Sequence, residues 1–178
     1  MYLRLFFKLI AITALIIFQI GFISGLPVWA RELNLIIIFL IFSLEFGGNK
    51  KAIWWFLLIG FLFDIYIPIF FGFFIIFWPL VFLFASFLYT NFFTNRSLYS
   101  FLGLTFFTTI FYYFLFNIFF YLASFFSGAR ADLFFLSKNF WIHLGGGIAA
   151  NLLAVTIIFY LANLISDRLK PVFIIKKQ

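Results

Sequence analysis

From Ala52 to Tyr89 the chain carries a single charged side chain, Asp64. A membrane-crossing helix needs ~20 apolar residues at 1.5 Å each to traverse ~30 Å of hydrocarbon, and this stretch is about twice that length, so it must cross, turn and return. The turn chemistry within it is Asp64-Ile65-Tyr66-Ile67-Pro68, because the residue before a proline avoids the helical region. The pattern predicts one helix over Ala52 to Phe63 and another over Ile69 to Tyr89, the second kinked at Pro79.

The rest of the chain follows the same plan. Further apolar runs cover Leu5 to Ile23, Leu33 to Phe46, Leu98 to Phe126 and Trp141 to Ile165, separated by Gly47-Gly48-Asn49-Lys50-Lys51, by the polar stretch Thr90 to Ser97 and by a loop from Ser127 to Asn139. The first run exceeds the ~7–15 apolar residues of a cleavable signal, and no convincing small-residue cleavage site follows it, so it reads as a retained helix. The expected fold is all-α, a single polytopic membrane bundle of about six transmembrane helices over residues 1–178. With 67% hydrophobic and 10% charged residues, the chain lacks the polar surface that a water-soluble domain needs.

Charge sets the orientation. With the N-terminus in the cytoplasm, inside segments hold Arg4, Lys8, Lys50, Lys51, Arg96, Arg168, Lys170, Lys176 and Lys177, and outside segments hold Arg31, Arg130 and Lys138. That asymmetry is a positive-inside signal and puts both termini in the cytoplasm. Trp29 and Trp141 then fall at the outer interface, Trp54 and Trp55 at the inner one. The net charge of +7 is clustered between apolar runs, which suits lipid headgroups and not nucleic acid. Cysteine is absent, which excludes disulfides, thiolate metal sites and a cysteine nucleophile. No nucleophile–base pair, carboxylate pair or metal-ligand spacing is visible, so the reading is of a non-enzyme without cofactor or metal. The 35 phenylalanines are interchangeable with leucine on a lipid-facing surface and define no site.

A few polar residues stand out. Asp64, ionisable near membrane depth, is a candidate partner contact or a cap for the following helix. The second and third expected helices are short, which predicts a depression on the outer side, floored by Asp64 and Pro68. Glu45 is placed to pair with Lys50 and Lys51. His143 reads as a headgroup-level polar residue. Gly145, Gly146 and Gly147, with Ala149 and Ala150, read as a helix-packing face. Asn117, Asn151 and Gln19 are expected to make interhelical hydrogen bonds, since amides in lipid must find partners.

Gly60-Phe61-Leu62-Phe63-Asp64, followed by Gly72, resembles a motif of the bacterial rod shape-determining protein MreD family. The apolar run from Asn34 closed by Gly47 to Lys51, and Asn151-Leu152-Leu153 in the last helix, are similar to that family's layout. Three departures stand beside these. Pro68 lies nearer Asp64 than the family pattern suggests. Ile65, Tyr66 and Ile67 replace the small polar residues that usually follow the Asp, and the Pro-Asp that often opens the second helix reads Glu32-Leu33-Asn34. The resemblance implies a non-enzymatic scaffold of the cell-elongation machinery in the bacterial inner membrane. Its implied partners are lipid and an MreC-like protein, and through the latter MreB, RodA and a penicillin-binding synthase. Gly60, Asp64, Pro68 and Gly72 are then the partner-binding candidates. The alternative is a subunit like the substrate-binding S component of vitamin transporters, whose polar pocket would draw on Asp64, His143, Arg130, Asp132 and the amides.

Overall fold

The computed structural model describes residues 2–47, 49–67, 72–93, 97–127 and 137–173. Among these residues there is no strand, and the α-helices run in the order α1 (Tyr2–Ile17), α2 (Val28–Arg31), α3 (Leu35–Gly47), α4 (Asn49–Tyr66), α5 (Phe73–Asn91), α6 (Leu98–Ser127) and α7 (Lys138–Phe173). Three segments are long and apolar enough to cross a membrane: Phe73–Asn91, Leu98–Leu122 and Lys138–Ala162. Shorter apolar segments cover Leu9–Phe22, Leu35–Leu44 and Ala52–Tyr66.

The shortest of these, in α3, is also the most enclosed. Its sequence is apolar on every face, which lets it be enclosed on every face. Ile36, Ile37, Ile38, Leu40, Ile41 and Leu44 are all buried, and α3 packs against α1, α4, α5, α6 and α7. The long helices instead turn large apolar side chains outward: Ile76, Leu83 and Phe87 on α5, Ile118 and Leu122 on α6, Leu153, Ile157 and Leu161 on α7. An apolar exterior of this extent suits lipid and not water. Trp54 and Trp141, expected at opposite interfaces, are both exposed.

Helix limits differ from the expected ones in an instructive way. The third expected helix, Ala52 to Phe63, is the longer α4, which begins at Asn49 and ends at Tyr66. Asp64 therefore lies inside a helix and not in the turn after it. The following helix starts at Phe73 and not at Ile69, and the last helix starts at Lys138 and not at Trp141. The first apolar run keeps its helical path but changes pitch. α1 passes into a π-helical turn, Phe18–Phe22, and then a 3-10 turn, Ile23–Gly25, before the short α2. Pro68, Arg130 and Asp132, with the side chains of Glu45, Lys50 and Lys51, lie outside the described residues.

The link from α2 to α3 sits deep. The Asn34 N–H donates to Asn151 Oδ1 at 2.8 Å, and Asn151 is about 20 Å along α7 from Lys138 at the standard helical rise. Its Nδ2 donates to Thr109 Oγ1 at 3.3 Å, a residue about 17 Å along α6 from Leu98. Asn34 thus lies level with the middle of the apolar segments Leu98–Leu122 and Lys138–Ala162. Beside this link opens a cleft that Glu32 lines and Asp64 does not; Pro68, the other residue expected at the floor of a depression, lies outside the described residues.

Candidate functional site

Two polar constructions stand apart from the apolar core. The first joins α4 to α5. The opening turn of any helix leaves backbone N–H groups without intrahelical acceptors. Here the residue before α5 is Gly72, at φ 97°, which has no side chain to cap the helix. The cap comes from α4. Asp64 Oδ1 accepts the Phe74 N–H at 2.9 Å, and Oδ2 accepts those of Gly72 and Ile75, each at 3.1 Å. The carboxylate also faces the positive end of the helix dipole. Asp64 is buried, beside the Phe63 ring that packs on Phe74 and Trp78.

Gly60 lies one turn before Asp64 on the same face of α4. A Cβ there would overlap the Phe74 carbonyl oxygen and stand 2.7 Å from its carbon and 2.8 Å from Ile75 Cα. Only hydrogen at that position lets the two backbones meet closely enough for the Asp64 carboxylate to reach α5. Gly60, Asp64 and Gly72 are thus one joint: close approach, cap and left-handed turn. Of the two readings of Asp64, helix capping is the one the geometry displays.

The second construction surrounds the break between α1 and α3. Gln19, in the π-helical turn, bridges it: Nε2 donates to the Leu33 carbonyl at 3.0 Å, and Oε1 accepts the Leu35 N–H at 2.8 Å. Asn34 caps α3 with Oδ1, which accepts the N–H groups of Ile36 and Ile37 at 3.1 and 3.2 Å. Asn151, fully buried, holds Asn34 from the opposite side. Irregular backbone at membrane depth persists where protein groups satisfy it or where it lines a cavity. Both conditions are met here.

The cavity is a half-open cleft of about 360 Å³ lined by Glu32, Tyr113, Phe116, Asn117, Phe120, Phe140 and His143. At its floor Glu32, 14% exposed, accepts the Tyr113 hydroxyl on Oε2 and faces His143 Nδ1 on Oε1, each at 2.8 Å. A carboxylate can only accept, so Nδ1 carries the ring hydrogen. No group of three or more His, Cys, Asp or Glu that could hold a metal occurs among the described residues.

The helix-packing glycines divide by position. Gly147 seats the Tyr113 ring, since a Cβ there would overlap the hydroxyl and lie 2.6 Å from Cε2. A Cβ on Gly146 would touch Glu32 Cγ at 3.4 Å, and Gly145 faces open space. Asn151 is interhelical, as expected. Asn117 is not: its Nδ2 donates to the Tyr113 carbonyl of its own helix at 2.9 Å, and the side chain lines the cleft. A lipid-depth amide can be satisfied by the carbonyl one turn back, which makes a partner helix unnecessary. His143, expected at headgroup level, reaches inward to Glu32.

No family model, curated protein or solved structure matches this chain.

Glu32 and Tyr113 were not singled out in the sequence. Glu32 follows Arg31 in what looks like an interhelical loop, where a carboxylate is ordinarily solvated. Tyr113 stands in a run of aromatic residues that reads as lipid-facing. The available signal was Glu32 itself, since the chain holds only 5 acidic residues and this one adjoins an apolar run.

Proposed function

We propose that the chain is a non-enzymatic, multi-pass scaffold subunit of the bacterial cell-elongation machinery, resident in the inner membrane with both termini cytoplasmic. The observation that carries this reading is the α4–α5 joint. Gly60, Asp64 and Gly72, the residues of the MreD-like motif, act together as one structural unit.

The joint makes α4 and α5 a rigid pair and leaves Phe61, Ile65 and Tyr66 exposed on α4 beside it. In this reading Gly60, Asp64 and Gly72 serve partner binding by shaping that ridge, and the membrane segment of an MreC-like partner packs on the exposed side chains; the fourth candidate, Pro68, lies outside the described residues. Photocrosslinking from Ile65 in the source bacterium, compared with Leu161 on α7, tests the proposal. Capture of an MreC-like protein from position 65 alone, together with rounding of cells on depletion, is the expected outcome. Unchanged cell shape on depletion would overturn it.

The cleft favours a second reading, a small-molecule-binding subunit like the S component of vitamin transporters. Its volume and its few convergent polar groups are those of a ligand site. Of the pocket residues expected for that role, His143 and Asn117 line the cleft, while Asp64 is engaged as a cap. Depletion that abolishes uptake of one vitamin and leaves shape intact would favour it.

A further inference from the structure

We propose that the Glu32–His143 cleft binds a ligand carrying a primary ammonium group on a short apolar or aromatic body. This goes beyond either reading of function, because a scaffold and a transport subunit can both hold such a molecule.

The inference comes from which hydrogens are already engaged. The Tyr113 hydroxyl hydrogen lies on Glu32 Oε2, and the His143 Nδ1 hydrogen on Glu32 Oε1. Asn117 Nδ2 donates to the Tyr113 carbonyl, and since a carbonyl only accepts, this fixes Oδ1 as the other amide atom. An amide NH₂ carries two hydrogens, so one on Asn117 Nδ2 is left over; the other donors around the cleft point at protein acceptors. The rest of what remains is accepting: Asn117 Oδ1, the second lone pairs of the Glu32 oxygens, the Tyr113 phenolic oxygen and, in the neutral ring, His143 Nε2. An acceptor-rich wall beside a carboxylate rejects anions and leaves a neutral acceptor unpaired. An ammonium brings the matching charge and three donors.

The remaining lining agrees. Phe116, Phe120 and Phe140 complete the walls, and aromatic faces attract cations, more strongly when water is excluded. A volume of about 360 Å³ is that of roughly twelve waters, enough for an arylalkylamine or for a lipid headgroup with its first carbons. The shared chemistry can thus come from a free amine or from an aminophospholipid.

The experiment uses the full-length protein in maltoside micelles, with phenethylammonium as probe and 2-phenylethanol as its neutral counterpart. The amine should raise the unfolding midpoint by about 3 °C or more at concentrations where the alcohol does nothing. Glu32→Gln should abolish the shift, and Asn117→Leu should weaken binding roughly tenfold. Asn117 lies outside the Tyr113–Glu32–His143 chain of hydrogen bonds, so that variant decides the matter even where Glu32→Gln fails to purify. Native mass spectrometry from bilayers with equal phosphatidylethanolamine and phosphatidylglycerol separates the sources. Selective retention of phosphatidylethanolamine, lost in the Glu32 or Asn117 variant, assigns a lipid headgroup. A midpoint shift without that retention assigns a free amine. Equal response to amine and alcohol with no lipid preference, or wild-type response in both variants, would overturn the proposal.

Discussion

Asp64 and Glu32 are both carboxylates held in an apolar bundle, yet they are satisfied by different kinds of partner. Among the described residues, Asp64 accepts only backbone N–H groups, from Gly72, Phe74 and Ile75. Glu32 accepts there only from side chains, Tyr113 and His143. Backbone donors cannot rotate, change tautomer or reverse polarity. Side-chain partners can do all three. The first arrangement suits a permanent joint, and the second suits a place where something comes and goes. The surroundings agree, since the Asp64 site is closed by backbone contact at Gly60 while the Glu32 site opens into a cleft.

The comparison breaks first at Gly60. Gly60→Leu places side-chain carbons where Phe74 and Ile75 backbone now lie. Backbone cannot move aside as a side chain does, so the joint must open, at a cost of about 3 kcal/mol or more once the Asp64 hydrogen bonds are lost with it. Unfolding in mixed micelles should show this loss. Gly21→Leu, where a Cβ would meet nothing within 4 Å, should change stability little. Equal losses at both positions would mean that the close approach of α4 and α5 is not what the glycine provides.

Isosteric amides sharpen the contrast at the two carboxylates. Asp64→Asn keeps one accepting oxygen but turns an NH₂ group toward backbone N–H donors, and should destabilise by about 2 kcal/mol. Glu32→Gln meets more adaptable partners. Its oxygen can keep the Tyr113 hydroxyl while its NH₂ donates to His143 Nδ1, the ring hydrogen moving to Nε2. The expected loss there is below about 1 kcal/mol. Parallel unfolding titrations check the pair, and a larger loss at Glu32 than at Asp64 would reverse the roles assigned to them.

The bundle and its short central helix were legible in the sequence because apolar length and charge position report directly on burial. Leu33 to Phe46 flanked by Lys50 and Lys51 leaves a helix little choice but to stop short, and α3 does. The Asp64 joint was half legible. Gly60, Asp64 and Gly72 stood out, but a carboxylate that caps a neighbouring helix and one that awaits a partner have the same spacing. The cleft was not legible, because it depends on contacts of long sequence separation: Glu32 to Tyr113 and to His143, Asn34 to Asn151. Periodicity describes one helix at a time and carries no information about which helix faces which.

The three consecutive glycines of α7 supply the finest test, because they share a helix and differ only in what they face. Gly147→Ala should push the Tyr113 ring aside and loosen its hydroxyl from Glu32, a loss of about 1–2 kcal/mol. Gly145→Ala meets nothing within 4 Å. It should gain stability, by up to about 1 kcal/mol, because alanine restricts the unfolded chain and favours the helix. Opposite signs two residues apart are the signature of seating one ring. Were the run simply a smooth face for close helix contact, both substitutions would destabilise together, and unfolding midpoints of the two single variants would show it.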